Sequence, residues 1–267
     1  MQALTVSELA IYPVKSLGGI ALQQMQFDRF GPVCDRRYIV VDNDARFVTQ
    51  REYAQMSLVR LTLNGYLIEF SAPSMSIFTL DTQRAVTDAR KTVTVWRDRV
   101  TACDMGEEIA AWLSSYLGIA VRLFYMPDDS VRHVDPTYGN SGDRVSFADG
   151  FPVLLIGAAS LREFNCTLPE PIGSERFRPN IVVAGAEPYA EDQWRRIRIG
   201  TLEFDVVKPC SRCVIPSIDP LTGKKQPIVA QTLARLRRRG DAVYFGQNLV
   251  HRGIGTIAIG APVTVLE

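Results

Sequence analysis

Histidine is scarce, and neither sign of charge predominates. The 267 residues include two histidines, His133 and His251, and five cysteines, of which only Cys210 and Cys213 form a close pair. A structural zinc site normally takes four nitrogen or sulfur ligands. Beyond the pair only Cys34, Cys103, Cys166 and the two histidines remain, with no second close pair. Lysine and arginine total 30 against 29 acidic residues, a formal net charge of +1. Such a balance gives no general attraction to nucleic acid or to an anionic membrane, so small molecules or proteins are the expected partners. No segment is continuously apolar enough to span a bilayer, and Met1-Gln2-Ala3-Leu4-Thr5-Val6-Ser7-Glu8 lacks a basic leader. An odd number of scattered cysteines fits reduced thiols, and the expected location is cytoplasmic. Internal repeats and low-complexity segments are missing as well.

With 46% hydrophobic and 22% charged residues, the chain can bury a full core in one large or two smaller domains. Much of it alternates as strands do. Met56 to Leu63, then Asn64-Gly65, then Tyr66 to Phe70 predicts a hairpin with a type I′ turn. Tyr38-Ile39-Val40-Val41 is expected to turn at 42–44 into Arg46-Phe47-Val48, and Thr92 to Trp96 to turn at Arg97-Asp98 into Val100-Thr101-Ala102. The first third therefore reads as a small β-rich unit. Helices are few. Asp104 with Glu107 resembles a capping box, followed by Ile109, Trp112, Leu113, Tyr116 and Leu117 on one face and Gly118 as the stop. A short helix follows Phe151 to Ile156, and a last one runs from about Ile228 to Arg238 with Gly240 beyond it. The class predicted is α+β, and Trp112 and Trp194 are expected to pack in the interior.

Chemistry concentrates in Lys208-Pro209-Cys210-Ser211-Arg212-Cys213. A thiolate is a soft metal ligand and a nucleophile, and a neighbouring arginine favours it over the thiol. Serine and arginine bind anions, so the same loop can serve a metal and a phosphate. Taken alone, the pair leaves zinc binding, a redox dithiol and ordinary reduced cysteines all open.

Five motifs in order narrow the choice. Ile11-Tyr12-Pro13-Val14-Lys15-Ser16, Asp35-Arg36-Arg37-Tyr38, Arg176-Phe177-Arg178-Pro179-Asn180-Ile181, Tyr189-Ala190-Glu191-Asp192-Gln193-Trp194 and Cys210-Ser211-Arg212-Cys213 resemble the successive motifs of MOSC-domain proteins, in particular their amidoxime-reducing branch. The resemblance spans nearly the whole chain. It implies an N-terminal MOSC β-barrel domain over 1–120 and a mixed MOSC domain with a β-barrel core and few helices over 121–267. It further implies a molybdenum cofactor, a pterin that carries the metal on a dithiolene and ends in a phosphate.

Carried over residue by residue, the resemblance makes Cys213 the metal ligand and the catalytic position. Cys210 matches a position often held by cysteine in relatives but given no ligand role. Lys15 and Ser16 end a strand-like segment where an ammonium and a hydroxyl can grip phosphate, and Arg36, Arg178, Ser211 and Arg212 match contacts to the pterin or its phosphate. Asn180 is expected to bond the pterin ring. Asn248 falls at a further contact position, held by tyrosine in the best-known relatives, and the 49–51 segment also aligns. The implied activity is reduction of N-hydroxylated or N-oxide-type small molecules. Electrons are then expected from a separate flavoprotein or ferredoxin, because the sequence ends at Glu267 without the clustered cysteines of an iron–sulfur domain. The alternative is a non-catalytic carrier of the cofactor or of sulfur, with a persulfide on Cys213. Pyridoxal phosphate is not expected, since the sulfurase domain to which some relatives are fused is missing. His133 and His251 are given no catalytic role. Asp192 either orients the site or only shapes a turn. The run at Arg235, Arg237, Arg238 and Arg239 is either a solvated helix end or a dock for an acidic electron carrier.

Overall fold

Strand-forming runs become three antiparallel sheets and one mixed sheet in the computed structural model, which describes residues 3–83 and 89–267. Among the described residues there are three α-helices: α1 (Glu107–Leu117), α2 (Ala158–Asn165) and α3 (Pro227–Arg237). The class is α+β and β-rich.

The largest sheet runs in the order Val263–Val265, Arg196–Ile199, Leu202–Ser211, Ala242–Arg252, Val153–Gly157, Ile181–Ala184, Thr5–Ile11 and Ile20–Leu22. Its first strand meets Thr5–Ile11, the next-to-last, because Val6 N–H donates to Ala261 O at 3.0 Å and Val263 N–H donates to Leu4 O at 2.9 Å. The sheet thereby closes into a barrel and leaves few open edges. One pair is parallel, Val153–Gly157 with Ile181–Ala184, and α2 lies in the crossover between them. Alternate residues such as Leu202, Phe204 and Val206 point inward, where they meet Leu9, Phe27, Leu155 and Leu249. Each such side chain contributes roughly 1.5–3 kcal/mol by leaving water.

A second unit joins the sheet Tyr38–Val41, Arg122–Tyr125, Asp98–Asp104 and Arg90–Val95 to the meander Arg60–Asn64, Leu67–Ser71 and Phe78–Asp81. Ile109, Leu113 and Leu117 of α1 close its core against Val40, Phe70 and Leu123. Strand pairing crosses residue 120 in both directions. Arg122–Tyr125 pairs with Tyr38–Val41, and Thr5–Ile11 lies inside the barrel sheet.

Several local expectations shift. The first hairpin turns at Gly65-Tyr66, because Asn64 still pairs with Leu67, and Tyr66 does not share Gly65's positive φ, so the turn is not type I′. Its upstream end, Ala54–Leu58, is a 3₁₀ helix rather than strand. Asp98 pairs with Val95, which moves the turn expected at Arg97-Asp98 to Trp96-Arg97 and puts Trp96 at φ 56°. Arg46 and Phe47 make only isolated bridges, since Phe47 turns to pack on Trp96. The capping box does not form. Gly106 precedes α1, while Asp104 stays in its strand and takes the Gly106 N–H and the Arg122 guanidinium. Gly118 does end α1 in the left-handed conformation, at φ 72°. Gly240 does not cap α3. The chain leaves that helix extended at Arg238, and Gly240, at φ 58°, turns the hairpin that pairs Arg239 with Ala242.

Candidate functional site

Where the first barrel strand ends, Tyr12 to Leu17 turns away from the sheet. The Asp35-Arg36 turn, the approach to Ile181–Ala184 and the end of Leu202–Ser211 arrive at the same place. One pocket results. It is lined by Lys15, Ser16, Arg36, Arg178, Asn180, Ser211, Arg212, Cys213 and Asn248, so all nine residues singled out from the sequence are together. Cys210, Thr49, Arg51, Asp149, Arg176 and Phe177 also line it.

The backbone is strained where the pocket is made. Ser16, Arg36 and Arg178 have φ of 68°, 48° and 57°, a region that residues with a Cβ rarely enter. Such strain persists only where surrounding contacts over-determine it. Here they do: Ser16 O accepts from Gln50 Nε2 at 2.7 Å, Arg36 N–H donates to Tyr12 O at 2.9 Å, and Arg178 N–H donates to Glu175 O at 3.1 Å. Gly246, at φ 75°, lets Ala242–Arg252 press against its neighbour, because a Cβ there would meet Leu155 O at 2.6 Å.

The cations are held from behind. Arg36 donates to Asp35 Oδ2 at 2.6 Å, to Asn180 Oδ1 at 3.1 Å and to Arg178 O at 3.0 Å. Arg178 donates through Nη1 to Leu17 O at 2.6 Å, and Arg212 donates to Phe245 O and Phe177 O at 2.8 and 3.0 Å. Arg176 is buried, and its bonds to Pro216 O and Gln226 Oε1 fix the turn that follows Cys213. Asn180 is nearly saturated. Its Oδ1 accepts from Leu154 N–H and Arg36, and its Nδ2 donates to Ala10 O, which leaves one amide hydrogen for a ligand.

Among the described residues, three guanidinium nitrogens are buried without a hydrogen-bond partner: Arg51 Nε, Arg178 Nη2 and Arg212 Nη2. An unpaired buried donor is costly, and each of these belongs to a residue of the pocket wall. Burial pushes the Arg178 guanidinium down to about 10, and the Arg36 charge beside it acts in the same direction. The wall therefore favours an anion that brings several acceptor oxygens.

One carboxylate interrupts this field. Lys15 Nζ donates to Phe147 O at 2.8 Å and to Asp149 Oδ1 at 2.5 Å, and the Trp96 indole donates to the same oxygen at 3.2 Å. Arg51 lies 3.8 Å from Asp149 Oδ2 and 4.5 Å from the Trp96 ring centre. Asp149 stands at the rim with its side chain 64% exposed. Partial burial raises its pKa, but Lys15, then Arg51 and Trp96, outweigh that and hold it below the usual carboxylate range. Arg51, Asp149 and Arg176 were not singled out from the sequence. The 49–51 segment and the motif that begins at Arg176 each contained one of them, but Asp149 sits in a turn-rich stretch with no motif of its own.

Cys213 is exposed, whereas burial raises the Cys210 thiol even though Arg212 opposes it. Among the described residues no three His, Cys, Asp or Glu side chains are grouped so that they could hold a metal ion. His251 donates through Nε2 to Asp28 O at 2.7 Å and packs on Phe27 away from the pocket. Asp192 is no part of the pocket wall. It accepts from Arg237 at 2.6 Å, Arg239 at 2.7 Å and Gln247 at 2.7 Å. The arginine run is thus partly neutralised from within. Among the described residues no helix is long and apolar enough to cross a membrane.

Comparison with known families matches residues 3–120 to the MOSC N-terminal beta barrel domain and residues 142–264 to the MOSC domain. The chain is 32% identical to mitochondrial amidoxime-reducing component 1 of Homo sapiens, over 99% of this chain and 84% of that one. It is 31% identical to the Mus musculus protein of the same name, over 99% and 83%. The Rattus norvegicus mitochondrial amidoxime reducing component 2 is 31% identical over 98% and 83%.

Proposed function

Because the chain belongs to the MOSC-domain family that includes the amidoxime-reducing components, we propose that it is a molybdenum-cofactor-dependent reductase of N-hydroxylated or N-oxide-type small molecules. The observation that carries this reading is the group of three partnerless guanidinium nitrogens in the wall of a pocket that also holds an exposed cysteine. A phosphate-bearing pterin metal complex supplies what both lack, acceptor oxygens for the arginines and a soft metal for the thiolate.

Cys213 would hold the metal, with Arg36, Arg178 and Arg212, aided by Lys15, Ser16 and Ser211, on the anionic end. Asn180 and Asn248 offer amide groups to the ring. When bound, the cofactor supplies two-electron reduction that cuts an N–O bond, the oxygen leaving as water. The chain's own part is electrostatic and positional. Its arginines are fixed by backbone carbonyls before any ligand arrives, so no reorganisation is needed on binding. The Lys15–Asp149 pair holds an exchangeable proton at Lys15 Nζ on the pocket wall, beside a carboxylate open to water. Electrons would arrive from a separate flavoprotein or ferredoxin.

The test is purification from a host that makes the cofactor, followed by metal and pterin analysis and by benzamidoxime reduction with an artificial electron donor. Molybdenum and pterin near one per chain together with turnover are expected. Pterin without turnover would favour a carrier, and zinc without pterin would end the reading.

A further inference from the structure

Tyr12 is almost completely buried, at 2% exposure, and has no part in the chemistry proposed above. Two cations nevertheless lie against it. The Arg36 guanidinium carbon is 4.4 Å from its ring centre and that of Arg178 is 4.2 Å away. Both arginines line the pocket, and their like charges oppose each other. An aromatic face attracts a cation, and more strongly where water is excluded. The same residue also sets Arg36 through its backbone, because Tyr12 O accepts the Arg36 N–H and Tyr12 N–H donates at 2.8 Å to the Asp35 carboxylate that binds Arg36. Gly19 makes room for the ring, since a Cβ there would lie 2.5 Å from Tyr12 Cε1. Burial pushes the phenol up to about 12, against the pull of Arg178 and Arg36, so at physiological pH the ring offers a neutral face.

We infer that Tyr12 is the positioning residue of the anion site: its ring face holds the Arg36 and Arg178 guanidiniums in the pocket wall against their mutual repulsion, and thereby sets affinity for the phosphate end of the cofactor. The inference rests on the functional reading above.

A ring series tests it. Tyr12 is replaced by Phe, by mono-, di- and trifluorophenylalanine, and by Met. Fluorine drains the negative face while nearly preserving shape. The readouts are affinity of the cofactor-free chain for inorganic phosphate, pterin retained per chain, and the thermal midpoint. Phe should stay within about twofold of the unsubstituted chain. Affinity should fall stepwise with fluorination to about tenfold at three fluorines, with the midpoint unchanged, and Met should match the weakest of the series. A flat fluorine series, or a Phe variant as weak as Met, overturns the inference while leaving the functional reading intact. If the unsubstituted chain binds neither phosphate nor pterin, both fail.

Discussion

Two groups of arginines differ in how their charge is answered. Around Asp192, Arg237 and Arg239 each reach the carboxylate, Gln247 completes its bonding, and Arg237 also packs on Tyr189 and donates to Tyr244 O. Around the Cys213 pocket, Arg51, Arg178 and Arg212 each keep a buried nitrogen unpaired, and among the described residues Asp149 is the single acidic one of the lining. In sequence the first group looks the more interactive, because its arginines belong to the dense run Arg235, Arg237, Arg238 and Arg239. The structure reverses that ranking. A cluster that satisfies itself has little left to offer a ligand, whereas one in which backbone carbonyls fix Arg178 and Arg212 but leave them short of acceptors is prepared for an anion. Within the arginine run, Arg237 is 10% exposed and its charge is already answered by Asp192.

The contrast predicts that damage shows as lost function in the pocket and as lost stability around Asp192. The largest effect is expected at Cys213. Cys213→Ala should reduce benzamidoxime turnover to background while the thermal midpoint holds and part of the pterin remains, whereas Cys210→Ala keeps substantial activity. An active Cys213→Ala with a dead Cys210→Ala would reverse the ligand assignment. Next comes Asp192→Ala. It strands the Arg237 charge in a site where both side chains are at most 10% exposed, at a cost of about 3 kcal/mol in chemical denaturation. The Arg239 contact adds little, because that side chain is 54% exposed. Pterin per folded chain should not change; its loss at unaltered stability would break the contrast.

How much of this was legible beforehand depends on what kind of information each feature needs. Periodicity gave the strands, and the ordered motifs named eight residues that meet in one pocket with Asn248, which came from a further aligned position. Turn positions were less accurate. Strand register, not turn chemistry alone, decides where pairing stops, so Trp96 left its expected strand and became a partner of Asp149 and Arg51. The left-handed conformations of Ser16, Arg36 and Arg178 carried no sequence signal, because glycine, the usual marker, is not used there. Asp104 looked like a helix cap, but its carboxylate has a stronger partner in Arg122, reached through strand pairing. Asp149 and Arg176 matter through contacts between distant segments, which spacing along one chain does not show.

The smallest expected effect is a shift in pH dependence, and it probes the one place where the two arrangements mix: Lys15, a pocket cation that is answered by a carboxylate. Burial lowers the Lys15 pKa from its ordinary 10.5, and Asp149 acts in the opposite direction. With a folded value below the unfolded one, the stability linked to Lys15 is present above the unfolded value and is lost as pH falls through the folded value. The Asp149 carboxyl also lies below its ordinary value in the fold, so its contribution is present at neutral pH and lost as acid titrates the folded carboxylate. Anion affinity follows the ammonium and should decline as pH rises through the folded Lys15 value. Asp149→Asn removes the group that holds that value up and also removes a competitor for the anion. Phosphate affinity measured from neutral to alkaline pH should therefore be several-fold higher at pH 7, with its alkaline decline moved to lower pH. A decline at the same pH in both proteins would place the Lys15 ammonium outside the anion site and return it to the self-satisfied class that Arg237 represents.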